Sequence, residues 1–305
     1  QEIGIVVPSI HIQDNMQLKP GEYVIRLKGV EVARAEMMVN YYLAMNPGNA
    51  QGKVEGVGTT EPTYGLPAYW IKSDKKENAM ARGYTVVDVP TVMTTHLSDL
   101  IRRQAHELLG RQEVHQLLEA LKGSHPKAVE ELVPNLMTLG GVVKVLQGLL
   151  AEQIPVRDLL TIVEALADWS PSVKQLDLLT EYARQALART ITSLYRTEND
   201  ELFVLTLDPS LEKQMVESIQ QTDQGAFLAL DPMAAQGVMQ EIANKLEKFA
   251  PHNLQPVILC ATQLRSHFKK MADRFIPNLV VLAYDEILPT VKIQSLATVE
   301  LNHAD

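Results

Sequence analysis

The hydrophobic period of this 305-residue chain changes twice, and that pattern restricts the fold more than any other feature. Near the N-terminus Tyr23, Ile25 and Leu27 alternate, and Lys28-Gly29 separates them from a second extended run beginning at Val30. Alternation on both sides of a glycine turn predicts a β-hairpin. From Gln112 to Tyr195 the apolar residues recur at steps of three and four instead. Val114, Leu117, Leu118 and Leu121 make one amphipathic helix, and Val129–Leu132, Val142–Leu150, Asp158–Ala167 and Leu176–Leu194 make others. Pro126, Pro134, Pro155 and Pro171 punctuate them. Beyond Leu202 strands and helices mix again: strands at 202–207, 257–261, 279–283 and 291–299, and helices at 209–219, 232–249 and 263–275. The expected class is therefore α+β and multidomain. An α+β first half precedes a helical part from Gln112 to Tyr195 and an α+β remainder. Ile3 to Ile12 reads as a further strand, Gly52 to Thr60 as a glycine-rich loop, and Asp74 to Arg82 as a short polar helix.

Charge and cysteine content narrow the function. A formal net charge of -9 argues against nucleic-acid binding and against electrostatic attachment to anionic lipid. The one cysteine, Cys260, lies in an apolar run and reads as a buried thiol of a reducing compartment, without a disulfide framework. No apolar run approaches a membrane span in length, and the first residue is not methionine, so a fragment of a longer protein is expected.

His106-Glu107 lacks the second histidine of a zinc-protease helix, because Gly110 stands there. Gly52, Gly56 and Gly58 lack the Lys-Ser/Thr of a phosphate loop. Ser9, Ser98 and Ser124 sit in no nucleophile elbow, and Asp14-Asn15 is a turn pair. No catalytic, metal or cofactor site is expected, and the chain reads as a binding protein. A soluble hydrolase is the remote alternative.

Two features point to binding. The segment Gly83–Glu113 reads as a short strand, Pro90 at a helix entry with Asp88 or Thr91 as cap, a helix through Leu108, and Gly110 as a left-handed stop. Met93, Leu97, Leu100, Ile101, Gln104 and Leu108 would be its buried stripe. Thr94-Thr95 are poor helix formers near its start, and Thr95 is either an ordinary threonine or a small residue that leaves room for a docking partner. Glu61-Pro62-Thr63-Tyr64 places a carboxylate and an aromatic ring on a proline-stiffened loop. Tyr64 is either a partner anchor or packed within its own domain.

Three stretches resemble the large export-gate protein of flagellar type III secretion, the FlhA family. They are Pro8 to Pro20, Gly83 to Glu113, and Glu131-Leu132-Val133-Pro134 with Lys144 to Leu150 and Val156 to Glu164. The resemblance covers nearly the whole chain and is looser in the last quarter. It implies four subdomains: two small interleaved α+β subdomains (1–39 with 89–110, and an inserted 40–88), a helical subdomain at 111–195 and a C-terminal α+β subdomain at 196–305. It implies the cytoplasmic C-terminal region of that protein, at the cytoplasmic face of the bacterial inner membrane, with membrane contact only through a missing N-terminal part. It implies a nonameric ring, docking of export chaperones carrying filament-type substrates, and contact with other export components including the ATPase complex. The docking site it implies is a shallow hydrophobic dimple formed by Glu61, Tyr64 and Thr95, with Val87 and Val92 as apolar walls. Tyr64 would be the anchor, Glu61 an orienting charge and Thr95 the floor. Relatives commonly carry Asp-Pro-x-Phe where this chain has Glu61-Pro62-Thr63-Tyr64, which leaves partner preference open. The virulence injectisome counterpart is the near alternative.

Overall fold

The computed structural model describes residues 3–222, 225–252, 254–277 and 279–300. The chain forms two compact units, Val7–Leu108 and Gln1–Val6 with Leu109–Asp305.

In the first unit β1 (Glu22–Leu27) and β2 (Val30–Glu36) form the expected antiparallel hairpin. Its turn puts Lys28 at φ 50 and Gly29 at φ 84, the left-handed pair that matches the twist of the strands. β3 (Tyr42–Met45), β4 (Val57–Thr60), β5 (Pro67–Ile71), α1 (Lys76–Ala81), β6 (Thr85–Asp88), α2 (Val89–Arg103) and α3 (Ala105–Leu108) follow. The four strands make one antiparallel sheet in the order β4-β5-β3-β6. Strand alternation divides its side chains between two cores. Leu43, Ala68 and Trp70 meet Val92 of α2 and Met37 on one face, with Tyr23 and Val87 partly buried beside them. Ala44 and Ile71 meet Ala79 of α1, Val54 and Tyr84 on the other.

The structure revises several expectations in this unit. Ile3–Ile12 is not a strand; Ile10 and Ile12 are exposed, Pro8 removes one backbone donor, and no neighbouring strand pairs with the segment. The glycine-rich stretch 52–60 contains β4, since the glycines are tolerated on an edge strand. The buried stripe of α2 is turned by one residue: Val92 and His96 are buried, whereas Met93 is exposed. The sheet face selects Val92, and His96 is hidden because it has an internal polar partner. The helix breaks at Gln104 rather than running through Leu108, and Gly110 has φ -107, so it is the N-cap of the next helix and not a left-handed stop.

The second unit begins with a helical array. It comprises α4 (Arg111–Lys122), α5 (Pro126–Glu130) leading into a wider turn at Glu131–Leu136, α6 (Leu139–Ala151), α7 (Leu159–Trp169), α8 (Leu176–Ala186) and α9 (Ala188–Tyr195). The single helix expected over Leu176–Leu194 is two, with the break at Leu187. Next come β7 (Glu201–Leu207), α10 (Pro209–Glu217), β8 (Ile219–Thr222), β9 (Gly225–Leu228), α11 (Pro232–Leu246), β10 (Val257–Cys260), α12 (Thr262–Ala272), β11 (Val280–Ala283) and β12 (Lys292–Val299). β8 and β9 form a small hairpin. The other four strands make a wholly parallel sheet in the order β11-β10-β7-β12. Burial on both faces explains the uninterrupted apolar run Val257–Cys260. Leu205, Ile258 and Val281 share a core with Leu211, Ile242 and Phe268 of the flanking helices. The mixed helix-and-sheet class expected from the sequence holds; the wholly parallel sheet and the β8–β9 hairpin were not foreseen.

Candidate functional site

All five candidate residues fall within Val7–Leu108. Glu61 to Leu66 is the tip of the β4–β5 hairpin, whose strands end with Thr60 paired to Pro67. Backbone bonds close the tip, from the Glu61 N–H to the Leu66 carbonyl (2.8 Å) and from the Gly65 N–H to the Glu61 carbonyl (3.0 Å). Gly65 takes φ +70, which suits a residue without Cβ.

The Glu61 side chain is only 4% exposed. Its carboxylate accepts the amide of Thr63 at 2.9 Å and the amide of Tyr64 at 2.7 Å. A carboxylate that caps two amides of its own turn stiffens that turn, and it is not a free charge on the surface. Tyr64, held by the same turn, is 62% exposed, and Leu66 beside it is 48% exposed. The structure therefore selects the exposed reading of Tyr64 over the packed one. An aromatic ring standing out on a turn stapled from beneath offers apolar area at little entropic cost.

The other three residues come from β6 and α2. Asp88 caps α2, accepting the Thr91 amide at 2.9 Å. Val92 is 3% exposed and belongs to the core with Leu43, Ala68 and Trp70, and Val87 is partly buried against that core. Both valines thus support the sheet face more than they offer surface. Thr95 is exposed on α2, directly before the buried His96.

Sequence reasoning missed Tyr23 and His96. The Tyr23 hydroxyl and His96 Nδ1 are 2.6 Å apart, and the rings meet edge to face with centroids at 5.9 Å. Burial, reinforced by the charge of Glu61, pushes the Tyr23 phenol up to about 12. Burial lowers the His96 imidazole below its ordinary value, with Glu61 and Asp99 opposing and Arg103 assisting. The neutral ring is therefore the favoured form. A histidine at step four from Val92 on the helix was the available signal. Among the described residues no cluster of three or more His, Cys, Asp or Glu side chains could hold a metal ion, and no single helix is long and apolar enough to cross a membrane.

This arrangement sits in a chain whose residues 1–292 match the FHIPEP family profile. The chain belongs to the FHIPEP family. It is 41% identical over 300 residues to the flagellar biosynthesis protein FlhA of Bacillus subtilis (strain 168), a match covering 98% of this chain and 44% of that protein. The chain thus spans less than half the length of that curated relative. Among solved structures, the Chlamydia pneumoniae CdsV protein matches with a TM-score of 0.86 and 30% identity, covering 98% of this chain and 87% of that one. The nonameric EPEC SctV-C, solved by cryo-EM, matches with a TM-score of 0.78 and 27% identity, covering 98% and 89%. The family and its mixed fold therefore agree with what the sequence motifs implied.

Proposed function

We propose that this chain is the docking region of a flagellar type III export gate, and that it receives export chaperones carrying filament-type substrates. The observation that carries this reading is the exposed Tyr64 on a hairpin tip held rigid by the buried Glu61. Tyr64 is the aromatic anchor, and Thr95 is the small residue that leaves room beside it. Val87 and Val92 hold the sheet face behind them. Glu61 acts by fixing the tip, not by meeting the partner as an exposed charge. The reading is one of binding and sorting, without catalysis.

The wider reading includes self-association into a ring, supported by likeness to a nonameric relative, and contact with the export ATPase complex. In it the helical and C-terminal subdomains supply the ring contacts, and an N-terminal membrane region places the chain at the cytoplasmic face of the inner membrane. The flagellar branch is preferred over the injectisome branch, supported by the 41% identity to a flagellar biosynthesis protein.

The test is calorimetry of the chain with a cognate chaperone–filament protein complex. Truncating a hot-spot aromatic costs on the order of 2 kcal/mol, so Tyr64→Ala should weaken binding roughly thirtyfold. A Trp at Thr95 should do comparable harm by filling the space. Unchanged affinity in Tyr64→Ala would overturn the site.

A further inference from the structure

We propose that Tyr23 and His96 are the positioning pair of this docking site, a polar pillar that fixes the Glu61–Tyr64 tip relative to the Thr95 turn of α2. The inference rests on the docking reading above and adds two residues to it.

The pair joins two elements, β1 through Tyr23 and α2 through His96, and the charge of Glu61 in the hairpin tip acts on both side chains. Tyr23 packs against the core that holds Ala68 and Trp70 of β5 together with Val92 of α2. One turn beyond Val92, the hydroxyl of Tyr23 meets Nδ1 of His96 at 2.6 Å. A 6% exposed histidine on a surface helix would be costly without such a bond, because its ring nitrogen would be left unpaired. With the phenol protonated, the simplest arrangement has its O–H donating to an unprotonated Nδ1. Thr95 precedes His96 in the chain, so fixing the His96 ring also fixes the backbone that presents Thr95.

Protonation of His96 would reverse that bond. Nδ1 would become a donor, and the phenol proton would need another acceptor. The charged groups acting on His96 are Glu61 of the hairpin tip, and Asp99 and Arg103 of its own helix, the latter two paired at 2.7 Å. Burial outweighs the two acids, so the folded site favours the neutral ring. The sign follows. The pair is intact above the ordinary histidine value of 6.5 and weakens as the pH falls below it.

The experiment uses the full chain, a chaperone–filament protein complex as probe, and two variants that keep the packing. Tyr23→Phe removes only the hydroxyl, and affinity should fall about fivefold at pH 7.5. His96→Asn keeps a polar group near the Nδ1 position but does not titrate, so it serves as the comparison without a pH-dependent ring. As the pH is lowered from 7.5 the wild-type chain should lose affinity, and His96→Asn should show none of that loss. Amide exchange provides a readout independent of the partner: Thr63 and Tyr64 amides should exchange faster in Tyr23→Phe. Wild-type affinity and exchange in Tyr23→Phe, or the same pH slope in His96→Asn, would overturn the pair. If Tyr64→Ala also binds normally, the docking reading itself has failed, and the exchange result alone decides the pillar.

Discussion

Removing the Arg265 guanidinium should destabilise the second unit more than any truncation of an exposed ion pair. Arg265, on α12, is 1% exposed. It donates to Glu152 at 2.7 and 3.1 Å and to both carboxylate oxygens of Glu181 on α8. A second buried guanidinium, Arg184 of α8, donates to Glu286 at 2.5 and 3.2 Å and to Glu152 at 3.0 Å. Three carboxylates thus share two guanidiniums, a net charge of -1 in a buried site. Burial pushes Glu152 up, but the charges of Arg184 and Arg265 override it and hold that carboxyl down at about 2. Burial dominates at Glu181 and raises its carboxyl despite Arg265, so negative charge is held there at a cost.

Arg265→Met leaves Glu152 with Arg184, but removes the guanidinium that faces Glu181. Breaking a buried pair from one side costs about 3–5 kcal/mol, which in a domain of this size is a drop of roughly 6–20 °C in Tm. Urea and thermal unfolding at pH 7 measure it. Adding Glu181→Gln should recover at least about 1 kcal/mol, because the stranded charge is gone. The deficit should also shrink as the pH falls. A carboxyl whose folded value lies above its unfolded 4.5 takes up a proton on folding, so stability recovers as the pH falls through the folded value. A loss below about 1 kcal/mol in Arg265→Met, or no recovery from Glu181→Gln, would refute the claim that this network is a closed unit of charge.

Three further outcomes are expected. Glu61→Ala removes the acceptor of the Thr63 and Tyr64 amides, so both should exchange with solvent at least about tenfold faster, a test by NMR or mass spectrometry. Gly21 has φ +82 and an added Cβ would lie 2.3 Å from the Met37 carbonyl oxygen, so Gly21→Ala should cost about 2 kcal/mol or more in thermal unfolding. Cys260 is fully buried and its thiol is pushed well up by burial, so a thiol reagent at pH 8 should label it only in denaturant.

What could be read from the sequence was whatever has a period or a local chemistry. The Lys28-Gly29 turn, the Pro90 entry of α2 and the apolar strand at Val257 are each encoded within a few neighbouring residues, and the structure has them. What failed needed a partner far along the chain. Ile3–Ile12 has the composition of a strand but no strand beside it, and β4 has glycines but a neighbour in β5 that orders them. The orientation of α2 failed for a related reason. A periodicity count treats His96 as polar and turns it outward, whereas Tyr23, seventy-three positions away in sequence, makes burial possible. Glu61 is a further case: the sequence shows an acid on a loop, and two amides within its own turn satisfy it where it is buried. The same logic governs Glu152, Glu181, Arg184, Arg265 and Glu286, which look in sequence like the solvated faces of ordinary helices. Polar residues buried by mutual satisfaction carry no local signal, because the reason for each lies in the others. In this chain such residues do two jobs. Five lock the second unit, and in the first Glu61 closes its own turn while Tyr23 and His96 satisfy each other.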